Sequence, residues 1–310
     1  MALKLFKSFT PFRDQKNMTK YVVGDFMFES FGRSWELMKS SYSVLRSDKE
    51  LLTFPIISAV LGLIAAITFF LPLVLFDLTD SVLLYPIVFL FYFISYFIII
   101  FFNSALIGAA SIRLKGGDPT VKDGINIAMA NLTNIAAWAA VAATVGMILR
   151  ALAGKSRNNL LGRIVIGLIG GAWSIITYFV IPVLIFEKVG PLEAIKRSAY
   201  LVKDQFGEYI IGNMGLGAAN FLLAIAVFIL VGIPAASFYL LLGPVGLIPA
   251  VILFVIAFVA LGIVMSALNA IYVAALYHYA KTGQEPANWK IGSIVHSIAE
   301  KQPQKWGGII

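Results

Sequence analysis

Residues 51–76 read LLTFPIISAVLGLIAAITFFLPLVLF, a run without an acid, a base or a histidine. A helix rises about 1.5 Å per residue, so the run is longer than the roughly 30 Å hydrocarbon layer of a bilayer. No water is available inside that layer, so the backbone must pair within its own segment, as a helix, or in a closed barrel. Barrel strands alternate polar and apolar residues with period two. Residues 51–76 do not alternate, so the run is a membrane-spanning helix.

The rest of the chain repeats the pattern. Residues 81–112 and 209–280 also carry no Asp, Glu, Lys or Arg. Apolar residues make up 60% of the chain and charged residues 13%, about half of the roughly 25% usual in soluble domains. The mean hydropathy is +0.89. Six spans are expected: Leu51–Phe76, Val82–Ile112, about Leu132–Leu149, Ile164–Phe186, about Tyr209–Leu241 and about Val245–Tyr279. Gly243-Pro244 separates the last two, because proline lacks an amide donor and its predecessor avoids the helical region. The first 50 residues lack the short apolar core of a cleavable secretory signal, so the first span is expected to act as its own insertion signal.

Basic residues set the orientation. Nine Lys and Arg precede the first span, three lie in 113–131, four in 187–208 and four after 280, against four in 150–163 on the other side. Twenty against four places both termini in the cytoplasm. The net charge of +8 is accounted for by this asymmetry and by attraction to anionic lipid headgroups, and no nucleic-acid motif accompanies it.

An internal repeat organises the spans. Phe28, Phe31, Trp35, Met38, Tyr42 and Leu45 are spaced three, four, three, four, three, the stripe of an amphipathic helix. Leu192, Ile195, Ala199, Val202, Phe206 and Tyr209 repeat that spacing 164 positions later. Arg33-Ser34 and Leu37-Met38-Lys39 match Arg197-Ser198 and Leu201-Val202-Lys203. A weaker copy, Val121, Ile125, Ala128, Leu132 and Ile135, is offset from the first by 90. Thr120 is its expected N-cap and Asp123 sits in its first turn.

The expected architecture is therefore all-α and polytopic. Six transmembrane helices form three parallel pseudo-repeats, each an amphipathic cytoplasmic or interfacial helix followed by a membrane hairpin. An N-terminal extension, 1–25, precedes a single membrane domain, 26–280, with repeats at about 25–112, 118–186 and 190–280. A cytoplasmic tail follows at 281–310. Phe31, Trp35, Met38, Leu192, Ile195 and Val202 are the candidate interfacial anchors. The same stripe serves equally for docking on the spans as a collar, and the pattern leaves both readings open.

Chemistry-bearing residues are sparse. The absence of cysteine excludes thiolate nucleophiles, disulfides and cysteine metal sites. The spans hold no ionisable carboxylate, lysine or arginine of the kind that marks a proton path. His278 and His296 are the two histidines, and His296 with Glu300 falls short of a zinc ligand set. No nucleotide-binding, metalloprotease or serine-hydrolase motif is present. No cofactor, no metal and no enzymatic activity are expected. Acidic residues on the amphipathic faces, Glu29, Glu36, Glu193 and Asp204, read as a solvated surface.

The polar groups at membrane depth are neutral: Asn103, Ser174, Thr177, Asn213, Asn220 and Asn269, with Ser104, Thr144 and Ser266. They read as hydrogen-bonding glue between helices, or as a pocket for a neutral or zwitterionic solute. Gly167 and Gly171 form a small-residue face, expected to pack on the alanine-rich third span, with dimerisation as the other use. The aromatic second span reads as a lipid-facing helix or as a groove for acyl chains or a partner helix.

Three stretches carry a resemblance. Residues 28–39, FESFGRSWELMK, continue through Ser47-Asp48-Lys49-Glu50-Leu51-Leu52 to Phe54-Pro55; later come Arg113-Leu114-Lys115-Gly116-Gly117-Asp118-Pro119-Thr120 and Gly190-Pro191-Leu192-Glu193-Ala194-Ile195-Lys196-Arg197-Ser198. Over about 26–285 the chain resembles an uncharacterised family of prokaryotic six-helix integral membrane proteins. The resemblance implies six spans in a prokaryotic plasma membrane and no established activity. Two functions are expected to compete. The first is a non-enzymatic scaffold or accessory subunit of a membrane complex, with a membrane protein or a second copy as partner. The alternative is a permease or lipid-handling protein for a neutral, zwitterionic or hydrophobic small molecule.

Overall fold

The structure is a computed structural model that describes residues 38–76, 82, 84–156, 159–205, 243–286 and 289, with short helical pieces between 224 and 241. Most of the fifth expected span lies outside the described residues, as do Phe31, Trp35, Asn213 and Asn220. Among the described residues there is no strand. Helix α1 covers 38–47. A 3-10 turn, Lys49–Leu52, leads into α2, Thr53–Leu75; then come α3, Leu84–Leu114; α4, Val121–Met129; and α5, Leu132–Lys155. Helices α6, Leu160–Ile176, α7, Val180–Glu187, and α8, Pro191–Gln205, follow, and a 3-10 turn, Gly243–Gly246, opens α9, Leu247–Thr282.

Five described segments are long and apolar enough to cross a membrane: Lys49–Leu75, Leu84–Leu114, Leu132–Lys155, Leu160–Glu187 and Gly243–Thr282. One expected boundary differs. The fourth span does not run unbroken from Ile164 to Phe186; it stops at Ile176 and resumes at Val180. The Gly243-Pro244 turn is present, with Gly243 at φ 64, a left-handed conformation that suits glycine.

Local chemistry sets the helix ends. Thr120 caps α4: its hydroxyl accepts from the Asp123 amide at 3.3 Å, and the Asp123 carboxylate accepts from the Thr120 amide at 2.9 Å. This reciprocal pairing satisfies two amides that lack intrahelical partners. The bonds from Thr120 hold the Asp123 carboxyl below its ordinary value. The Asn159 side chain caps α6 through Leu161 and Gly162 amides.

Helices α3, α7 and α9 meet in the interior, with α2, α5 and α6 outside them. Their contact is concentrated towards one end, here called the charged end, where Arg113, Glu187 and Lys281 lie. Ile100–Leu114 supplies eleven buried residues of α3, Val180–Ile185 five of α7 and Ala267–Tyr277 ten of α9. Many are small, so the backbones approach closely. The amphipathic helices α4 and α8 dock on this core. Gly124 of α4 lies against the Ala105 carbonyl and the tip of the Phe54 ring, and Gly108 of α3 lies against Ile127. Of the two placements the stripes allow, α4 and α8 take docking on the spans. Ala128, Ala194, Leu201 and Val202 are buried there.

Two outcomes test this packing. Gly124→Ala adds a methyl group where a carbonyl and a ring already stand, and is expected to lower stability by about 1–3 kcal/mol in thermal unfolding in detergent. Gly171→Ala, which meets nothing within 4 Å, is expected to be neutral or stabilising by up to ~1 kcal/mol. The Asp123 cap adds a pH dependence. Its carboxyl titrates lower in the fold than the ordinary 3.8, so its contribution is whole above that value and disappears as pH falls through the folded value. Amide protection in the first turn of α4 should survive at pH 5 and be lost first on acidification; equal loss along the whole helix would contradict this.

Candidate functional site

A lateral groove of about 380 Å³ opens between α2, α3 and α9. Its walls are built on one pattern. Helix α2 contributes Pro55, Ser58, Ala59 and Gly62; α3 contributes Ile99, Phe102, Asn103 and Leu106; α9 contributes Val259, Gly262, Ile263 and Ser266. Each set is spaced i, i+3, i+4, i+7, the single face of a helix. Each face brings one neutral polar residue, Ser58, Asn103 or Ser266, into otherwise apolar walls. The groove is open beside its glycines: a Cβ on Gly62 or Gly262 would meet nothing within 4 Å. The volume falls within the roughly 300–1,000 Å³ of small-molecule sites, where a few polar groups orient a mainly apolar ligand.

The other expected polar residues are placed apart from the groove. The Ser174 hydroxyl donates to the Gly170 carbonyl at 3.0 Å and the Thr177 hydroxyl to Trp173 at 2.7 Å, each within its own helix. Asn269 is exposed on α9. Asn103 is half-buried in the groove wall, and Ser104 beside it is fully buried. Among the candidate anchors, Met38 and Val202 are buried, Ile195 is half-buried and Leu192 is exposed. Gly167 and Gly171 do not pack on α5: among the described residues nothing lies within 4 Å of a Cβ placed on either. What joins α5 to α6 is the stacked pair Trp138 and Trp173, ring centroids 5.9 Å apart.

The break between α6 and α7 has a specific partner. Ser198 of α8 is fully buried. Its hydroxyl donates to the Ile176 carbonyl at 2.6 Å and accepts from the Phe179 amide at 2.9 Å. One side chain thus pairs a carbonyl and an amide at the gap between two helices, which low-dielectric surroundings would otherwise penalise. Pro182, in the first turn of α7 and unable to donate to the Tyr178 carbonyl, is the local signal for the break; the side chain that satisfies it comes from 19 residues downstream.

Two charged hubs close the same end of the bundle. The Glu187 carboxylate, at the end of α7, accepts from Arg197 of α8 at 2.6 Å and from Lys281 and Tyr277 of α9 at 2.7 and 2.9 Å. Arg197 also pairs with Glu193 at 3.2 Å. Arg113, at the end of α3, donates to the Gly117 and Ser47 carbonyls and to Asp118, all at 3.0–3.1 Å. It thereby ties the end of α1 to the turn after α3. Asp48 is buried beside it; burial pushes that carboxyl up, and Arg113 opposes the shift. Among the described residues no three His, Asp or Glu side chains gather as a metal site would require.

Helices of this length and apolarity around a lateral groove define a class, the multi-pass helical membrane proteins. Within it, a model of a family of unknown function, DUF6159, matches residues 82–287, about two thirds of the chain, and the protein belongs to that family. No curated protein matches the chain. The matched stretch includes two walls of the groove, α3 and α9, and leaves out the third, α2.

Ser198→Ala removes both bonds at the break. The expected cost is about 1–3 kcal/mol, together with faster hydrogen exchange at the Phe179 amide. Unchanged exchange at that amide would show that the hydroxyl does not hold the break.

Proposed function

We propose that this protein is a membrane-embedded lipid-handling protein that holds an acyl chain or similarly apolar, neutral molecule in the groove between α2, α3 and α9. The groove carries this reading. It is apolar enough for a hydrocarbon chain, and Ser58, Asn103 and Ser266 offer an uncharged molecule one amide and two hydroxyls. A charged solute would find no counter-ion among its lining residues, and such a desolvated charge is costly. The reading is non-enzymatic: the ligand is held, not transformed.

The setting proposed for this activity is a prokaryotic plasma membrane, with six spans in three parallel repeats and both termini in the cytoplasm. The charge asymmetry supports the orientation. The repeat is supported by an offset. The stripes at 90 and 164 imply a spacing of 74 between the second and third units. At that spacing Gly124 corresponds to Ser198, the two small residues through which α4 and α8 dock. Arg113 and Glu187, the hubs just before the second and third units, are separated by the same 74.

A second reading, the scaffold or accessory subunit with a membrane protein or second copy as partner, rests on α6. That helix has no buried residue and presents Gly167 and Gly171 on an open face.

The groove can be filled without disturbing the packing. Gly62→Leu and Gly262→Leu place side chains into open space, so both variants are expected to fold. Native mass spectrometry from polymer-bounded membrane discs should find a retained lipid or hydrophobic molecule on the unaltered protein. Its occupancy should fall at least about tenfold in the double variant, equivalent to about 1.4 kcal/mol. Equal retention by both would sink the lipid-handling reading. A stoichiometric protein partner, unaffected by the two leucines, would favour the scaffold.

A further inference from the structure

We infer that the bilayer covers only part of these helices: its boundary on the charged side crosses the bundle at Ile56, Asn103, Thr177 and Ser266, and what lies beyond is a collar standing in water. The collar comprises the last turns of α3 and α9, all of α7, and the docked helices α1, α4 and α8. This inference does not depend on the groove holding a ligand.

Side-chain burial changes character at that level. In hydrocarbon an apolar side chain gains nothing by leaving its surroundings, whereas in water it does. Large exposed apolar side chains run from Ile56 to Leu75 on α2, from Tyr85 to Ile99 on α3 and from Leu247 to Val259 on α9. None occurs in 100–114 of α3, in 260–282 of α9, or in α7, the centre of the collar; on the docked helices around them Tyr42, Met129, Leu192 and Tyr200 remain exposed. The buried polar residues behave in the opposite way. Ser40, Ser41, Asp48, Ser104, Ser111, Asn131 and Ser198 all fall on the charged side of the boundary.

Lengths agree with the same plane. From Ile56 to Leu75, from Leu84 to Asn103 and from Leu247 to Ser266 there are 20 residues each, a rise of about 30 Å and one hydrocarbon thickness. Helix α9 as a whole has 36 residues, about 54 Å. Burying all of it in lipid would demand a tilt or thickening far beyond a modest mismatch. The α5–α6 hairpin is shorter between Ile176 and Arg163, about 20 Å. The long stems of Arg150 and Arg163 supply the remaining reach to the far surface.

The absence of cysteine makes a depth measurement direct. Single spin labels would be placed at Val255→Cys and Asn269→Cys on α9, and at Ile99→Cys on α3 and Asn126→Cys on α4, all exposed positions. Their collision rates with oxygen and with a water-soluble nickel chelate would be measured in liposomes. Positions 255 and 99 should favour oxygen, and 269 and 126 the chelate, the ratio inverting by at least about tenfold across the boundary. If 126 or 269 reads as deep as its partner, the collar lies within lipid and the inference fails.

Discussion

Close approach of α3, α7 and α9 is the constraint on which the remaining structure depends. Their meeting faces are rich in alanine, with Gly108, Ser104 and Ser111 on α3 and Ala267, Ala270, Ala274 and Ala275 on α9. With small side chains, dispersion contacts reach backbone to backbone, and beyond the inferred lipid boundary the apolar faces also gain by leaving water. Docking of α4 follows from the same economy of volume, since Gly124 has room only for hydrogen next to the Ala105 carbonyl. The groove begins where this close contact ends. Towards the middle of α9 the glycines leave space unfilled, and hydroxyls and an amide border it.

Five long apolar helices were legible because hydropathy over some twenty residues is a strong, local signal. The amphipathic helices were legible for a similar reason, and Thr120 with Asp123 marked the start of one. Other features depend on partners distant in sequence. Glu187 reads as the first residue of a loop, yet it joins three helices through Arg197, Tyr277 and Lys281. Ser198 was visible as part of a repeated stretch, but its role at the helix break needs the fold. Gly167 and Gly171 illustrate the opposite case. Their spacing permits tight packing, but Trp138 and Trp173 occupy the contact between α5 and α6 instead. The groove could have been sought as three i, i+3, i+4, i+7 faces with one polar residue each, though residue spacing does not say which three faces meet.

The paired helices α3–α4 and α7–α8 solve one packing problem with different chemistry. Glycine at 124 lets α4 approach an unbroken helix, whereas serine at 198 serves a helix that is interrupted. The hubs differ in sign as well, Arg113 in one and Glu187 in the other. Membership of DUF6159 carries no activity, so functional argument rests on the groove and on what the helices leave uncovered.

The charged hubs join residues far apart in the chain: 66 positions separate Ser47 from Arg113 and 90 separate Glu187 from Tyr277. During synthesis, α1 and α4 leave the ribosome long before the end of α9 exists. Until then their apolar stripes have no complete core to cover, and the adjacent bilayer surface is the natural place for an amphipathic helix to wait. Hairpin contacts are local in sequence, whereas those at the charged end close long loops. The core that α1 and α4 cover therefore includes a piece, the final turns of α9, that is the last of these helices to be made.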